Sequence, residues 1–281
     1  MRIIRVFPHR TKATPADDLA YVGLPSMFAE ADEVHISVTF SWDIPEAERL
    51  EKEWRHVAPV KIGGPAMGQR GEQFTPGQYL KKGDVITSRG CPNRCWFCGV
   101  WRREGQAVRE LPITEGWNIL DDNFLACSDE HIKNVFAMLA KQKERLYFTG
   151  GLEAARLKLW HIEELAKLKP KEMFFAYDGP EDKEPLFEAG KMLKQAGFKL
   201  CDPLRVYVLI GYRGDTFDAA EKRFADCARA GFLPMAMLYR DEKEDRDPAW
   251  VRFTWPWVRP AIVRSKLRKI ILDCNCFGKE V

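Results

Sequence analysis

The alternation of apolar and polar positions predicts strands and helices in regular succession. In the N-terminal part it predicts strands at 2–7, 33–40 and 59–63 and helices at 14–30 and 45–57. Residues 33–40 form a β-branched run of the kind that builds strands, and Pro45 stands where a first helical position tolerates proline. Strands that alternate with helices pair in parallel, so a small α/β unit is predicted here.

A second series of apolar runs follows residue 83. It predicts strands at 84–88, 117–121, 145–149, 172–177, 204–211 and 233–239, with helices at 128–143, 153–168, 183–197 and 216–230. Ser128, and Asp215 or Thr216, resemble helix N-caps. Six β/α repeats are too few for an eight-stranded barrel and suit a partial one. The predicted fold class is therefore α/β, a partial (β/α)6 barrel preceded by a small, truncated Rossmann-like unit.

The Gly- and Pro-rich stretch 64–83 is the predicted boundary between these parts. Three segments result: a small α/β unit at 1–70, the partial barrel at 71–245, and an aromatic and basic C-terminal segment at 246–281. Residues 251–281 carry 7 basic and 2 acidic side chains and follow Trp250. Basic residues among aromatics suit a phosphate-bearing or single-stranded partner, whereas the favoured alternative is a tail packed over the domain.

Composition narrows the class of protein. Of 281 residues, 30% are charged and 46% hydrophobic, which is typical of a soluble globular chain. No apolar run approaches the roughly 20 residues of a membrane span, and Pro8 and His9 arrive before any apolar stretch that could form a secretory signal. We therefore expect a cytoplasmic protein with no membrane partner.

The cysteines suggest a metal centre. A disulfide framework does not suit a reducing compartment, and Cys91, Cys95 and Cys98 form a C-x3-C-x2-C run directly after the predicted strand 84–88. A structural zinc ion prefers four protein ligands. A four-iron cluster held by three cysteines keeps one iron without a protein ligand.

This motif, with the aromatic Phe97 just before its last cysteine, resembles the signature of the radical S-adenosylmethionine (SAM) superfamily. The resemblance covers residues 84 to about 240, and the order of motifs is similar to that of bacterial and phage members related to the cobalamin-linked branch. It implies a [4Fe-4S] cluster on Cys91, Cys95 and Cys98, and SAM on the open iron with Phe97 near its adenine. A donor such as flavodoxin or ferredoxin would supply the electron that cleaves SAM to a 5′-deoxyadenosyl radical, which abstracts a substrate hydrogen.

The resemblance also implies SAM contacts at the ends of later strands. The second strand ends in acidic and amide residues where many members keep Gly-Gly-Glu for the SAM ammonium; Asp122 is the first choice for this role. Glu153 and Asp178 would hold the cationic or ribose parts, and Arg156 would face the carboxylate. The expected SAM-contacting residues besides Phe97 are Asp121, Asp122, Asn123, Gly150, Gly151, Glu153, Arg156, Tyr177, Asp178 and Gly211.

Ordinary structural roles compete with each of these assignments. Asp121 and Asp122 could begin the cap of helix 128–143, Gly150-Gly151 could be a plain turn, and Asp178 before Gly179-Pro180 suits a turn.

The remaining motifs leave alternatives open. The N-terminal unit weakly resembles a cobalamin-binding domain but lacks the Asp-x-His-x-x-Gly of a cobalt ligand, so cobalamin is not expected. Cys274 and Cys276 could join Cys127, Cys201 or Cys227 around an auxiliary cluster, although these three cysteines are explained more simply as small buried hydrophobic residues. Two other functions compete: a radical enzyme that modifies a nucleotide or nucleic acid, and a non-catalytic, metal-stabilised nucleic-acid-binding protein.

Overall fold

A computed structural model describes residues 1–240 and 247–273. The chain divides into two compact units, Met1–Gly116 and a second that begins at Trp117. In the first unit a parallel sheet has the strand order β2-β1-β3-β4. Its elements are β1 (Ile3–Phe7), β2 (Ala20–Val22), β3 (Glu33–Ser37), helix α1 (Ile44–Trp54) and β4 (Val60–Gly63). The helix buries Leu50 and Trp54 in the core that includes Ile4 and Val34, which explains the apolar periodicity of this region.

The helix predicted at 14–30 is wrong. Residues 20–22 instead form β2, which pairs with β1, and the rest of this stretch is turns and bends. Pro25 falls in the interior of the predicted helix, where proline costs about 3 kcal/mol. Gly23 adopts a φ of 81°, which ends the short strand in a left-handed turn.

The predicted linker does not separate the two units, since the chain divides after Gly116 rather than near residue 70. Contacts hold residues 64–83 onto the first sheet: the Arg5 guanidinium donates to the carbonyls of Gly77 and Gln78 at 3.0 and 2.8 Å, and the Lys81 N–H donates to the Ala13 carbonyl at 2.8 Å. A Gly- and Pro-rich stretch can therefore be an ordered part of one unit. The first unit continues through β5 (Asp84–Val85), β6 (Ser88–Arg89), α2 (Val100–Arg103) and β7 (Arg109–Glu110).

The second unit alternates strands and helices. These are β8 (Asn118–Ile119), α3 (Asp129–Leu139), β9 (Tyr147–Leu152), α4 (Leu159–Leu168), β10 (Glu172–Tyr177), α5 (Lys183–Gln195), β11 (Leu204–Ile210), α6 (Phe217–Arg229) and β12 (Leu233–Leu238). The strands lie in the order β12-β11-β10-β9-β8, and each pair is parallel. The predicted α/β class with parallel pairing is confirmed, and so are the N-caps: the hydroxyls of Ser128 and Thr216 accept the backbone N–H of His131 and Ala219.

The strands differ from prediction at two places. The predicted strand 84–88 is interrupted, and its end, β6, pairs antiparallel with β7. The third predicted strand runs on through Gly150-Gly151, where the register with β10 shifts. Leu152 pairs with Phe175, so extra residues of β9 bulge out of the ladder. The two glycines are therefore part of a bulged strand and not a turn after it.

The C-terminal segment forms two helices, α7 (Pro248–Trp257) and α8 (Pro260–Asp273). Trp257 is buried and stacks on Phe224 of α6, with ring centroids 4.1 Å apart. Phe253 stacks on Phe217 of the same helix at 4.7 Å. The aromatic spacing of this segment thus serves packing inside the second unit.

The exposed part of this segment still allows the alternative interpretation, in which it binds a phosphate-bearing partner. Trp255 is exposed, with the Arg259 guanidinium 3.7 Å from its ring centroid, and contact of these two residues with a phosphate-bearing partner stays a prediction. Cys274 and Cys276 lie outside the described residues.

Across the described part of the chain, no helix has the length and apolar character needed to cross a bilayer.

We expect Trp257→Ala to lower the free energy of unfolding by about 3–5 kcal/mol, because it removes a buried ring and leaves a cavity. Trp255→Ala removes an exposed ring of the same helix, so it should cost less than about 1 kcal/mol. Urea denaturation followed by circular dichroism measures both. Equal losses in the two variants would contradict this view of the segment.

Candidate metal and cofactor residues

The three motif cysteines lie between β6 and α2 of the first unit, in a segment that we call the cysteine loop (residues 90–105), which includes the short helix α2. Each cysteine is partly exposed, and the six described cysteines form no disulfide. The Cys98 N–H donates to the Cys95 carbonyl at 3.1 Å, and the Cys91 N–H donates to the Gly105 carbonyl at 3.3 Å. These bonds fold the loop back on itself, so the backbone at all three cysteines is constrained.

Aromatic and glycine residues add to this constraint. The indole N–H of Trp101 donates to the Cys95 carbonyl at 3.0 Å. Phe97 is half-buried and meets Trp96 edge to face at 5.5 Å. Gly90 has a φ of 93°, and a Cβ there would lie 2.5 Å from the Ala107 carbonyl oxygen. Only glycine permits this close approach at the start of the loop.

A buried carboxylate closes the end of the cysteine loop. Glu104 is 2% exposed and pairs with Arg103 at 2.9 Å and Arg109 at 2.8 Å. It also accepts the backbone N–H of Gly71 at 3.2 Å. A buried charge is tolerated when it is paired and hydrogen-bonded, and this one connects α2, β7 and the preceding segment. No feature of the sequence singled out Glu104.

In the second unit the strands end at a common edge, where several predicted residues meet. Asn123 is buried, and its amide donates to Glu153 Oε2 at 2.7 Å. Arg156 Nε donates to the same oxygen at 2.5 Å. Asn123, Glu153 and Arg156, predicted separately, thus form one hydrogen-bonded group. Glu153 and Arg156, expected to hold opposite charges of SAM, are paired with each other.

The glycine bulge of β9 lies against the end of β8. A Cβ on Gly150 would lie 2.5 Å from the Asp121 carbonyl oxygen, so no larger residue suits this backbone. Gly151 has a φ of 108° and open space where a Cβ would project. Gly150 therefore has a packing role, whereas Gly151 leaves backbone accessible to a small molecule.

Asp178 follows β10 in an acidic environment. Burial raises its pKa to about 7, and the nearby Asp182 and Glu181 carboxylates add to the increase, although the Leu209 N–H opposes it. Asp182 accepts the N–H groups of Asp178 and Gly179 at 2.8 and 2.9 Å. Sequence analysis did not single out Asp182.

Tyr177 is the last residue of β10. It is buried, and burial raises the pKa of its hydroxyl to about 12, with further contributions from Asp226 and Cys227 of α6. Contact of Tyr177 with SAM stays a prediction.

Gly211 follows β11 with a φ of 75°, and its N–H donates to the buried Asp215 carboxylate at 2.8 Å. Asp215 also pairs with Arg223 at 2.7 Å. A Cβ on Gly211 would lie 2.5 Å from the Leu238 side chain and 3.2 Å from that of Trp250. Its backbone conformation thus has a structural explanation, while contact with an adenine stays a prediction.

The two neighbouring aspartates at the end of β8 differ in burial. Asp122 is only partly buried, whereas Asp121 is 1% exposed. The structure brings Asp121 together with Cys127 and His131, and the potential ligand atoms of these three buried residues all lie within 4.8 Å of one another. Sequence analysis favoured a small hydrophobic role for Cys127 over a ligand in an auxiliary cluster, and it did not single out His131. The four-residue spacing from Cys127 to His131 across a helix N-cap was the available signal.

The pKa of Asp178 predicts a pH-dependent stability difference. Its value is about 7 in the folded chain against 3.8 as the ordinary value, so the folded state keeps the proton over this interval and its stability decreases as pH rises. Asp178→Asn removes this dependence and can still accept the Leu209 N–H. The free energy of unfolding of Asp178→Asn, relative to that of the unmodified chain, should therefore increase by up to about 4 kcal/mol between low pH and pH 8.

Chemical denaturation across this pH range measures the difference. Asp218→Asn, which alters an exposed carboxylate, should show little change with pH. A stability difference between Asp178→Asn and the unmodified chain that is the same at every pH would contradict the raised pKa.

Comparison with known proteins identifies no family: no protein-family model matches the chain, and no curated protein matches it.

Proposed function

We propose that the protein is a radical SAM enzyme that holds a [4Fe-4S] cluster on Cys91, Cys95 and Cys98. The observation that carries this proposal is the cysteine loop, in which three partly exposed thiols stand at C-x3-C-x2-C spacing on a hydrogen-bonded backbone. When bound, the cluster would pass an electron from a donor such as flavodoxin or ferredoxin to SAM, yielding the 5′-deoxyadenosyl radical that takes hydrogen from a substrate.

The donor set suits this cofactor. Cysteine thiolates are the usual ligands of iron–sulfur clusters, and three of them leave one coordination position for SAM. The thiols are partly exposed, so both a cofactor and an electron donor have access to them. Gly90, Trp101 and the buried Glu104 hold the loop backbone and so restrain the spread of the three thiols before the cluster arrives.

The strand order of the second unit supports a partial barrel. Strands β8 to β12 are neighbours in chain order, and a helix lies between each pair. Crossovers between parallel strands are right-handed, so a strictly sequential order places successive helices on one face, as in a barrel. A doubly wound sheet instead reverses its order at a switch point.

Among the strand-end residues, Asp122 is the best candidate to hold the SAM ammonium. Asp121 is fully buried and faces Cys127 and His131. Asp122 is partly exposed, so a ligand can reach its side chain. The bulged Gly151 offers backbone groups that a side chain at this position would cover.

Replacing any one of Cys91, Cys95 and Cys98 by Ala should abolish SAM cleavage, because two thiolates do not hold both the cluster and its open iron. Cys227→Ala removes a buried thiol of α6 and should retain cleavage. Anaerobic reconstitution, iron analysis and quantification of 5′-deoxyadenosine test this. A triple variant that kept its iron and still released 5′-deoxyadenosine would refute the proposal.

Asp122→Ala should keep the cluster and weaken SAM binding by roughly ten- to hundredfold, since a hydrogen bond to a charged group contributes about 1.5–3 kcal/mol. Asp129→Ala, an exposed carboxylate at the start of α3, is the matched control and should leave affinity unchanged. Isothermal titration calorimetry of the reconstituted variants measures both. Unchanged affinity in a folded Asp122→Ala protein would remove this residue from the SAM contacts.

A further inference from the structure

Asp121, Cys127 and His131 form a compact buried set, which we call the Asp-Cys-His set. We propose that it binds a single Zn²⁺ ion. All three side chains belong to residues at most 8% exposed, and their ligand atoms lie within 4.8 Å of one another. This site is separate from the cysteine motif and does not depend on the proposed radical SAM activity.

The distances approach those that zinc requires. Zinc binds sulfur at about 2.3 Å and nitrogen or oxygen at about 2.0–2.2 Å in tetrahedral geometry, which places neighbouring ligand atoms about 3.3–3.8 Å apart. Ligand atoms that lie up to 4.8 Å apart therefore need to approach one another by about 1.0–1.5 Å. Side-chain rotation within staggered wells provides a movement of this size without a change of backbone.

The chemistry of the donors selects the ion. Thiolate and imidazole ligands favour Zn²⁺, whereas Ca²⁺ and Mg²⁺ require oxygen ligands. One carboxylate and one thiolate also balance the two positive charges of zinc, while His131 contributes a neutral ring. The loaded set is electrically neutral, which reduces the cost of burying ions in a protein interior.

The backbone between the three residues is held in place before any ion binds. A 3-10 turn at Phe124–Ala126 joins Asp121 to Cys127, and the Cys127 N–H donates to the Phe124 carbonyl at 3.2 Å. The cap at Ser128 sets the start of α3, since its hydroxyl accepts the His131 N–H at 3.2 Å. Phe124 is buried against Phe136 and Phe148, with centroids 5.7 and 5.8 Å away. Ligands fixed by packed neighbours lose little freedom on binding.

Zinc at this position would connect the end of β8 to the N-terminus of α3. Three protein ligands leave a fourth position for water, as in open zinc sites. The ion would also fix the backbone on which Asp122 stands.

Zinc binding is best measured in a full-length background in which the other motif cysteines cannot compete. Cys91, Cys95 and Cys98 are replaced by Ala, and Cys274 and Cys276 by Ser. Competition with a chromophoric chelator should then give one Zn²⁺ per chain. In this background Cys127→Ser and His131→Ala should each weaken binding by about a hundredfold or more, beyond the loss typical of outer-shell changes. Cys227→Ser, another buried thiol, should have no effect.

Two further measurements separate ligation from misfolding. Added Zn²⁺ should raise the Tm of the background in proportion to the logarithm of its concentration, and this increase should disappear in His131→Asn, a variant that keeps a polar side chain. Co²⁺ should give a thiolate charge-transfer band that Cys127→Ser abolishes.

Substoichiometric zinc in the folded background, or binding that the Cys127 and His131 variants leave unchanged, overturns the proposal. Because the cluster cysteines are absent from this background, failure here does not bear on SAM cleavage, and failure of SAM cleavage does not bear on this result.

Discussion

Parallel pairing of β8 to β12 is the constraint on which the second unit depends. When consecutive strands run the same way, every helix must return the chain to the opposite edge, so the residues that follow each strand collect at one edge. The contact of Asn123 with Glu153 follows directly, because these residues succeed neighbouring strands. The two strand ends also meet at Gly150. Because Gly150 has no Cβ, the bulge of β9 can lie against the Asp121 backbone.

Burial of carboxylates at this packed edge costs free energy, and the fold compensates them to different extents. Asp215 is compensated by Arg223 and a backbone N–H. Asp178 receives a backbone N–H but faces Asp182 and Glu181, so its pKa rises to about 7. The fold therefore keeps a carboxyl group whose raised pKa lowers the stability of the folded state as pH rises.

The two proposed metal centres differ in how the chain prepares them. The cysteine loop is local: its thiols lie within eight residues, and its shape depends on Gly90 and on the buried Glu104. The Asp-Cys-His set is buried and rests on an aromatic core around Phe124. The partly exposed thiols can be reached by a cofactor and an electron donor, whereas the buried set suits an ion that is bound once and retained.

Local signals in the sequence determined the alternation of strands and helices, the bounds of β10 and the caps at Ser128 and Thr216, because each depends on residues close in the chain. The cysteine motif could be recognised for the same reason, because its three cysteines lie close together in the sequence. Only the tertiary structure decided that Asp121 is buried beside His131 while Asp122 remains accessible. Burial and side-chain direction depend on which distant elements pack against a residue, and the order of amino acids does not state this by itself.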